Sequence, residues 1–276
     1  AVAAAILGDA TKVKFVPTSA QQRFTALQSG EIDVLSRNTT WTLVRDASLG
    51  MTFAGVTFYD GQGFMVPKKL GVKSAKELNG AEVCVQTGTT TELNLSDYFR
   101  ANRMTFKPVV FEGLEESIKA FFSGRCQAYT TDASGLASIR STNATNPDDW
   151  VILPELISKE PLGPAVRRGD DELFAIVKWT VNALLEAEEY GVDSTNIDKL
   201  KAESKNPAVQ RLVGTSGEMG SKLGLDNEWS YRAIKQVGNY AEIFDRNVGP
   251  KTSLKLERGL NALWNKGGLM YAPPLR

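Results

Sequence analysis

The sequence predicts an α/β fold, and three observations support this prediction. Strand and helix signals alternate from the N-terminus to about residue 169, which is typical of sheets whose strands are joined by helices. One helix–strand unit occurs twice in this part of the chain. From residue 170 onward the patterns are almost entirely helical, so this part is expected to cover sheets built earlier.

Composition bounds the possible functions. The chain has 276 residues, of which 42% are hydrophobic and 23% charged, as in soluble globular proteins. Lys and Arg together number 32, as do Asp and Glu, which removes the electrostatic argument for a nucleic-acid partner. There is no histidine, which excludes Ser-His-Asp and Cys-His catalysis and the common histidine-based zinc sites. We expect no metal site and no cofactor.

The N-terminal residues indicate the end of a helix. The run AVAAAIL ends at Gly8 and has no preceding N-cap signal. We expect that the native polypeptide extends upstream of Ala1, with a strand followed by the first turns of this helix. The alternative is a frayed N-terminal helix with nothing before it.

The remaining elements follow from residue periodicity and from turn residues. We expect mostly parallel sheets, because most of the predicted strands are separated by helices. The predicted strands are 12–16, 32–35, 63–66, 83–86, 109–111 and 126–130. The predicted helices are 19–29, 92–101, 114–124, 170–191, 207–213, 228–244 and 254–264.

The internal repeat relates residues 24–34 to residues 118–128. Each copy is a helix, a Ser-Gly stop and a short strand, followed by a polar segment. The repeat predicts two similar α/β lobes, and the same offset places Asn38 opposite Asp132. Because ligands bind beyond the carboxyl ends of strands in open α/β sheets, these two side chains are expected on opposite walls of one cleft.

A possible anion site follows the strand 83–86. A glycine turn at Gly88 leads into a helix start with the hydroxyls of Thr89 and Thr90. Free backbone N–H groups at such a helix start attract a small anion such as a carboxylate. The alternative is that Thr89 or Thr90 only caps the helix.

Two charged residues complete a possible binding site. Arg45 follows the first repeat strand, and an arginine there can bind a carboxylate bidentately, although it can also form a surface ion pair with Asp46. Asp132 can accept an ammonium group, although alone it is more often a solvated or capping carboxylate. Together with the helix start, these groups match the zwitterion of a free α-amino acid.

Over nearly the whole chain the sequence resembles the solute-binding proteins of polar amino-acid ABC transporters, and in particular the general L-amino-acid binding subfamily. The motifs that carry the resemblance are GEIDVL at 30–35, NTTWT at 38–42 with Arg45, YDGQGF at 59–64, QTGTT at 86–90, Thr131-Asp132 and NALWNKGGL at 261–269.

The resemblance implies a two-lobed periplasmic-binding-protein fold of type II, with two hinge crossings near 63–66 and 162–166. Lobe 1 is expected to comprise 1–64 and 165–276, and lobe 2 to comprise 65–164. It also implies a monomeric protein, secreted through a signal peptide to the periplasm. Such a protein binds free L-amino acids between its lobes, closes on them and delivers them to an inner-membrane ABC permease.

The resemblance also assigns roles to single residues. The position of Arg45 holds the ligand carboxylate, with Thr90 contributing from the other lobe. The positions of Asn38 and Thr40 contact the ligand backbone, and Asp132 takes the ammonium. Family members begin with a signal peptide, then a strand and loop that line the side-chain pocket, whereas this sequence enters partway through the helix that follows.

Cys84 and Cys126 begin two predicted strands of the second lobe. Both can be small buried hydrophobic residues. A periplasmic location, which the resemblance implies, favours a disulfide between them.

Two alternatives to a transport binding protein are an enzyme on the same fold and the sensor domain of a receptor. A cyclohexadienyl (prephenate or arogenate) dehydratase on the same fold needs a general acid against a leaving hydroxyl. Glu92 is the only acid besides Asp132 near the expected cleft, and a helix-start role explains it. A receptor sensor domain is disfavoured because no apolar run approaches the ~20 residues that cross a bilayer. We therefore expect a binding protein and not an enzyme.

Overall fold

A computed structural model of the chain describes residues 1–276. Contacts within the chain divide it into two compact units. Unit 1 comprises Ala1–Val16, Gly50–Thr57 and Pro164–Arg276, and unit 2 comprises Pro17–Leu49 and Phe58–Gly163. The expected lobes divide the chain differently over 17–49 and 58–64 and at residue 164, and that lobe division stays a prediction.

Helices and strands alternate in the first part of the chain, and helices dominate the last part. The helices are α1 (Val2–Leu7), α2 (Gln22–Ser29), α3 (Leu43–Ser48), α4 (Thr90–Ala101), α5 (Leu114–Phe122), α6 (Ala133–Asn143), α7 (Asp171–Glu189), α8 (Ile197–Glu203), α9 (Pro207–Leu212), α10 (Trp229–Val237) and α11 (Tyr240–Asn247). The strands are β1 (Val34–Leu35), β2 (Met51–Phe53), β3 (Phe58–Asp60), β4 (Gln62–Pro67), β5 (Glu82–Gln86), β6 (Lys107–Phe111), β7 (Ala128–Asp132), β8 (Trp150–Ile152), β9 (Glu160–Leu162) and β10 (Ala165–Arg167).

Unit 2 contains a five-stranded sheet in the order β6-β5-β7-β4-β8. β5 pairs in parallel with β6 and β7, whereas β4 pairs antiparallel with β7 and β8. A separate antiparallel pair joins β3 to β9. The expectation of mostly parallel sheets is therefore wrong. Only the strands joined by helices α4 and α5 pair in parallel. β4 follows β3 directly, without a helical crossover, and runs opposite to both of its neighbours, β7 and β8.

The central strands of this sheet, β4, β5 and β7, are buried on both faces. In β5, Val83 and Val85 face one core and Cys84 faces the other, as strand alternation requires. Helix α4 covers the first face with Leu95 and Phe99, and helices α5 and α6 cover the second. The site described below depends on this two-sided packing, because it fixes the ends of β5 and β7.

The structure contains the predicted disulfide between Cys84 and Cys126, within the second core. It closes a loop with a sequence separation of 42. Reduction is expected to lower the free energy of unfolding by about 4 kcal/mol, since the cross-link restricts the unfolded chain. Denaturant titration with and without reductant measures this change. Two free thiols in unreduced, denatured protein would contradict the assignment.

Unit 1 is built mainly from helices around α7. Asp170 caps α7 by accepting a hydrogen bond from the Leu173 N–H at 3.1 Å. Arg232 of α10 donates to the carbonyl oxygen of Ala5 in α1 at 3.0 Å, which satisfies one of the carbonyls at that helix end. β2 and β10 form an antiparallel pair in this unit.

Several predicted elements are confirmed. Among them are α2 and α5, after which Gly30 and Gly124 adopt left-handed φ angles of 82° and 85°, so the two Ser-Gly stops have the same backbone geometry. The first repeat strand is shorter than predicted, at only two residues.

Other predicted elements are wrong for local reasons. Residues 12–16 form no strand: they follow a turn, closed by the Lys12 N–H bonded to the Asp9 carbonyl, and they join none of the sheets. The predicted helix 228–244 is two helices, since Gly238 has φ 85° and Asn239 starts a new capping box. Residues 254–264 form only short 3-10 turns, interrupted by positive φ angles. Helices α3, α6 and α8 were not predicted.

None of the helices combines the length and the apolar character needed to cross a membrane.

Candidate functional site

Asp132 occupies the end of β7 and is almost fully buried, with 4% of its surface exposed. Its Oδ2 accepts a hydrogen bond from Asn38 Nδ2 at 2.8 Å, so the structure brings together the two residues that the repeat pairs. Burial is the main cause that raises the pKa of Asp132 to about 7, and the charges of Asp60 and Glu160 raise it further. The hydrogen bond from Asn38 and the charge of Arg23 act in the opposite direction. A cation would stabilise this carboxylate.

The start of α4 provides the second part of the site. Thr89 is the N-cap: its Oγ1 accepts from the N–H of Glu92 at 3.2 Å and donates to the Gln86 carbonyl at 2.6 Å. Gly88 has φ 74°, and a Cβ there would lie 2.7 Å from Gln21 Cγ, so a glycine is required at this turn. Because the Thr89 cap takes the N–H of Glu92, the backbone N–H groups of Thr90 and Thr91 are the ones at this helix start that can face an anion.

Thr90 does not act as the cap. Its Oγ1 donates to Glu160 Oε2 at 2.9 Å and lies 3.3 Å from Thr40 Oγ1. Glu160, the first residue of β9, is 1% exposed, and also accepts hydrogen bonds from Thr40, Asn94 and Ser158. This carboxylate is not among the site residues predicted from the sequence. The available signal was strand alternation, which places Glu160 on the same side of its strand as the buried Leu162.

Arg45 lies in the first turn of α3, with 7% of its surface exposed. Its guanidinium donates to the Thr40 carbonyl at 3.0 Å and stacks 5.1 Å from the centroid of the Phe24 ring. Burial lowers its pKa, and the charges of Glu160 and Asp132 partly offset this effect. Because the bond to Thr40 uses one of five N–H donors, the group retains donors for a carboxylate.

Two further arginines, missed by the sequence analysis, reach the same region. Arg23 of α2 is 2% exposed, and its guanidinium donates to the Asn38 carbonyl at 3.1 Å, while its Nε has no partner. Burial, followed by the charges of Arg45 and Arg37, lowers the pKa of Arg23 to about 9. Arg37 is bound to the Thr18 carbonyl at 2.6 Å. A signal for Arg23 was its position three and four residues before Ala26 and Leu27, on the buried face of α2.

These side chains surround a small pocket within unit 2 that is partly open to solvent. Five of the six predicted ligand-binding residues line it, and the sixth, Arg45, contacts the carbonyl of Thr40. The lining residues are Ala20, Arg23, Arg37, Asn38, Thr40, Gln86, Thr89, Thr90, Thr91, Thr131 and Asp132.

The charges around the pocket are mixed. Three arginines and three carboxylates, including Asp60 beneath the start of α6, lie within electrostatic range of one another. A ligand that carries both an anion and a cation therefore fits this environment better than a simple ion. No cluster of three or more His, Cys, Asp or Glu residues that could hold a metal ion is present.

Several known proteins are similar to this chain over its whole length. The general L-amino acid-binding periplasmic protein AapJ of Rhizobium johnstonii is 62% identical, over 100% of this chain and 81% of that protein. The glutamate/glutamine/aspartate/asparagine-binding protein BztA of Rhodobacter capsulatus is 58% identical, over 100% of this chain and 81% of that protein. A periplasmic binding protein from Brucella ovis, solved with glutathione bound, superposes with a TM-score of 0.97 at 58% identity, covering 100% of this chain and 86% of that one.

These relatives confirm two expectations. Both curated relatives are named as binding proteins, which supports a binding protein over the dehydratase alternative. The similarity to the Brucella ovis structure confirms the type II periplasmic-binding-protein fold. The family model for bacterial extracellular solute-binding proteins, family 3, matches residues 1–192. The chain therefore belongs to the family 3 bacterial extracellular solute-binding proteins.

Proposed function

We propose that this protein binds free L-amino acids in the pocket described above and delivers them, as a periplasmic monomer, to an inner-membrane ABC permease. The observation that carries the proposal is the buried Asp132 carboxylate, which has only the neutral Asn38 amide as a hydrogen-bond partner, in a pocket that also holds arginines and a helix start.

The proposed ligand contacts follow from this arrangement. Arg45 and the N–H groups at the start of α4 bind the α-carboxylate, and Asp132 binds the α-ammonium. Asn38 and Thr40 contact the ligand backbone. Thr89 caps the helix start, and Thr90 contributes to the carboxylate contact through its backbone N–H. The names of AapJ and BztA support amino acids as the ligand class.

Isothermal calorimetry with each of the twenty L-amino acids tests the proposal directly. We expect a one-to-one complex with at least one of them. Prephenate and arogenate serve as controls and should be neither turned over nor bound more tightly. Absence of binding for all twenty amino acids would contradict the proposed function.

Ligands with an acidic side chain are expected to bind more tightly than basic ones. Arg23 and Arg37 line the pocket, and their charges attract a side-chain carboxylate and repel an ammonium or guanidinium. We expect L-glutamate and L-aspartate to bind at least about tenfold more tightly than L-lysine and L-arginine, a difference of about 1.4 kcal/mol.

The Arg37→Met variant should reduce that preference, as measured by calorimetry with L-glutamate and L-lysine. Arg100→Met is a matched control, because the Arg100 side chain is 81% exposed on α4 and pairs only with Asp97. A stronger affinity of the parent for L-lysine than for L-glutamate would contradict this assignment.

Delivery to a permease is tested separately. Membrane vesicles that contain the cognate ABC transporter should hydrolyse ATP faster when the liganded protein is added. Light scattering measures the molar mass in solution and so tests whether the protein is a monomer. If the rate of ATP hydrolysis does not change although the protein binds its ligand, the proposed delivery to a permease is contradicted, whereas the proposed amino-acid binding is not.

A further inference from the structure

The carboxylate of Glu160 is saturated with hydrogen-bond donors. Its Oε2 accepts from the hydroxyls of Thr40 and Thr90, the latter at 2.9 Å. Its Oε1 accepts from Asn94 Nδ2 at 2.7 Å and from Ser158 Oγ at 2.6 Å. A carboxylate offers about four lone-pair positions, so these four donors occupy all of them. Glu160 does not line the pocket and has no acceptor capacity left for a ligand.

The consequence for the two threonines follows from counting protons. A hydroxyl has one proton to donate and two lone pairs to accept with. The hydroxyl oxygens of Thr40 and Thr90 lie 3.3 Å apart, and each lies closer to Glu160 Oε2 than to the other, so each directs its single proton to the carboxylate. Both threonines line the pocket. Toward the pocket they therefore present only lone pairs.

We propose that Glu160 is a positioning residue that fixes the hydroxyls of Thr40 and Thr90 as hydrogen-bond acceptors, which makes this part of the pocket selective for the ligand's α-ammonium group. The inference rests on the proposed function. Glu160 touches no ligand atom, and it acts through the two threonines.

Because the two hydroxyls can only accept hydrogen bonds from a ligand, the ligand's ammonium and carboxylate groups are bound by different residues. An ammonium has three N–H donors, and Asp132 with the two threonine hydroxyls supplies acceptors for them. A ligand carboxylate has no proton to give, so the hydroxyls cannot stabilise it in this state. It must be bound by N–H donors, which Arg45 and the start of α4 provide. The resemblance assigns Thr90 to the carboxylate; the hydrogen bond to Glu160 restricts that contact to the Thr90 backbone.

The first test compares Thr40→Val and Thr90→Val, which remove the hydroxyl at nearly constant shape. Calorimetry measures the dissociation constant of L-glutamate directly. That of glutarate, which is L-glutamate without its α-amino group, is measured by its displacement of bound L-glutamate. We expect each variant to lose about tenfold in affinity for L-glutamate, the scale of one hydrogen bond to a charged group, and less than about threefold for glutarate. Equal losses for both ligands would overturn the proposal, because they would show the hydroxyls bonded to the carboxylate.

The second test is Glu160→Gln. The amide has one acceptor oxygen and two N–H donors, so it cannot accept all four protons, and the threonine protons become free to turn toward the pocket. The ratio of glutarate to L-glutamate dissociation constants should fall at least about threefold. An unchanged ratio in a folded variant would also overturn the proposal.

Glu155→Gln is the matched control. Glu155 likewise accepts from a hydroxyl, Ser74 Oγ at 2.5 Å, but is not part of the pocket. Thermal melting monitors folding of all variants, and if Glu160→Gln does not fold, the threonine variants decide alone. If the parent binds none of the twenty amino acids, the proposed function is contradicted. If the parent binds L-glutamate but the threonine variants lose equal affinity for L-glutamate and glutarate, only this inference is contradicted.

Discussion

Replacement of Arg45 by alanine is expected to lower the affinity for free L-amino acids by about thirtyfold or more. A buried guanidinium that binds a carboxylate contributes about 2–5 kcal/mol when one partner is removed. Arg45 is 7% exposed, and its guanidinium donates one hydrogen bond within the protein, to the Thr40 carbonyl, so loss of the side chain should affect binding far more than folding. Calorimetry of the variant with the tightest-binding amino acid measures the loss.

Arg100→Ala is the control for the loss of a positive charge, since the Arg100 side chain is exposed on α4. It should bind like the parent. If Arg45→Ala binds within about threefold of the parent, Arg45 serves only to hold the Thr40 loop.

Replacement of Asp132 by asparagine should lower amino-acid affinity by about tenfold or more, because the shape is kept while the charge that pairs with the ammonium is lost. Asp97→Asn makes the same charge change on an exposed side chain and should leave binding unchanged. Parent-like affinity of Asp132→Asn would contradict the zwitterion arrangement.

The pH dependence of binding gives an independent check on Asp132. Because burial raises its pKa to about 7, the carboxyl of the unliganded protein is increasingly protonated below that pH and cannot pair with an ammonium as a charge. Affinity should therefore fall as the pH is lowered from 8 to 5.5, and Asp132→Asn should lack this dependence. Calorimetry across this range decides, and the chain has no histidine to complicate the result.

The effect of the same group on folding has the opposite sign. Its pKa in the folded protein lies above the ordinary value of 3.8, so the folded state holds the proton more tightly than the unfolded state. The stability that this provides to the unliganded protein is present below about pH 4 and is lost as the pH rises through about 7. Ligand binding and acid stability thus use opposite protonation states of one carboxyl.

Much of unit 2 was predictable because its signals are local. The alternation of Val83, Cys84 and Val85 predicts a strand buried on both faces, and the Ser-Gly stops predict where α2 and α5 end. The repeat spacing pairs Asn38 with Asp132, and in the structure Asn38 Nδ2 donates a hydrogen bond to Asp132 Oδ2 at 2.8 Å. At these residues the position in the folded chain is the one that the local sequence pattern predicts.

The rest of the site depends on distant parts of the chain. Glu160 joins the site because β9 pairs with β3 and also bridges to Thr40 through Leu162. No motif around Glu160 indicates that four donors converge on its side chain. Arg23 lies on a helix face that its neighbours bury, where a charged residue is unexpected. The chain between 228 and 244 was mispredicted because one glycine at φ 85° overrides a continuous helical pattern.

The disulfide has a consequence for how this protein is handled as a reagent. Because Cys84 and Cys126 are joined to each other, the chain has no free thiol. A single cysteine introduced at Leu93, which is 68% exposed on α4 next to Asn94, would therefore be the only site available to a maleimide dye. A fluorophore there would sit three residues from Thr90, at the helix whose start lines the pocket, so the fold offers an attachment point for a fluorescent amino-acid sensor.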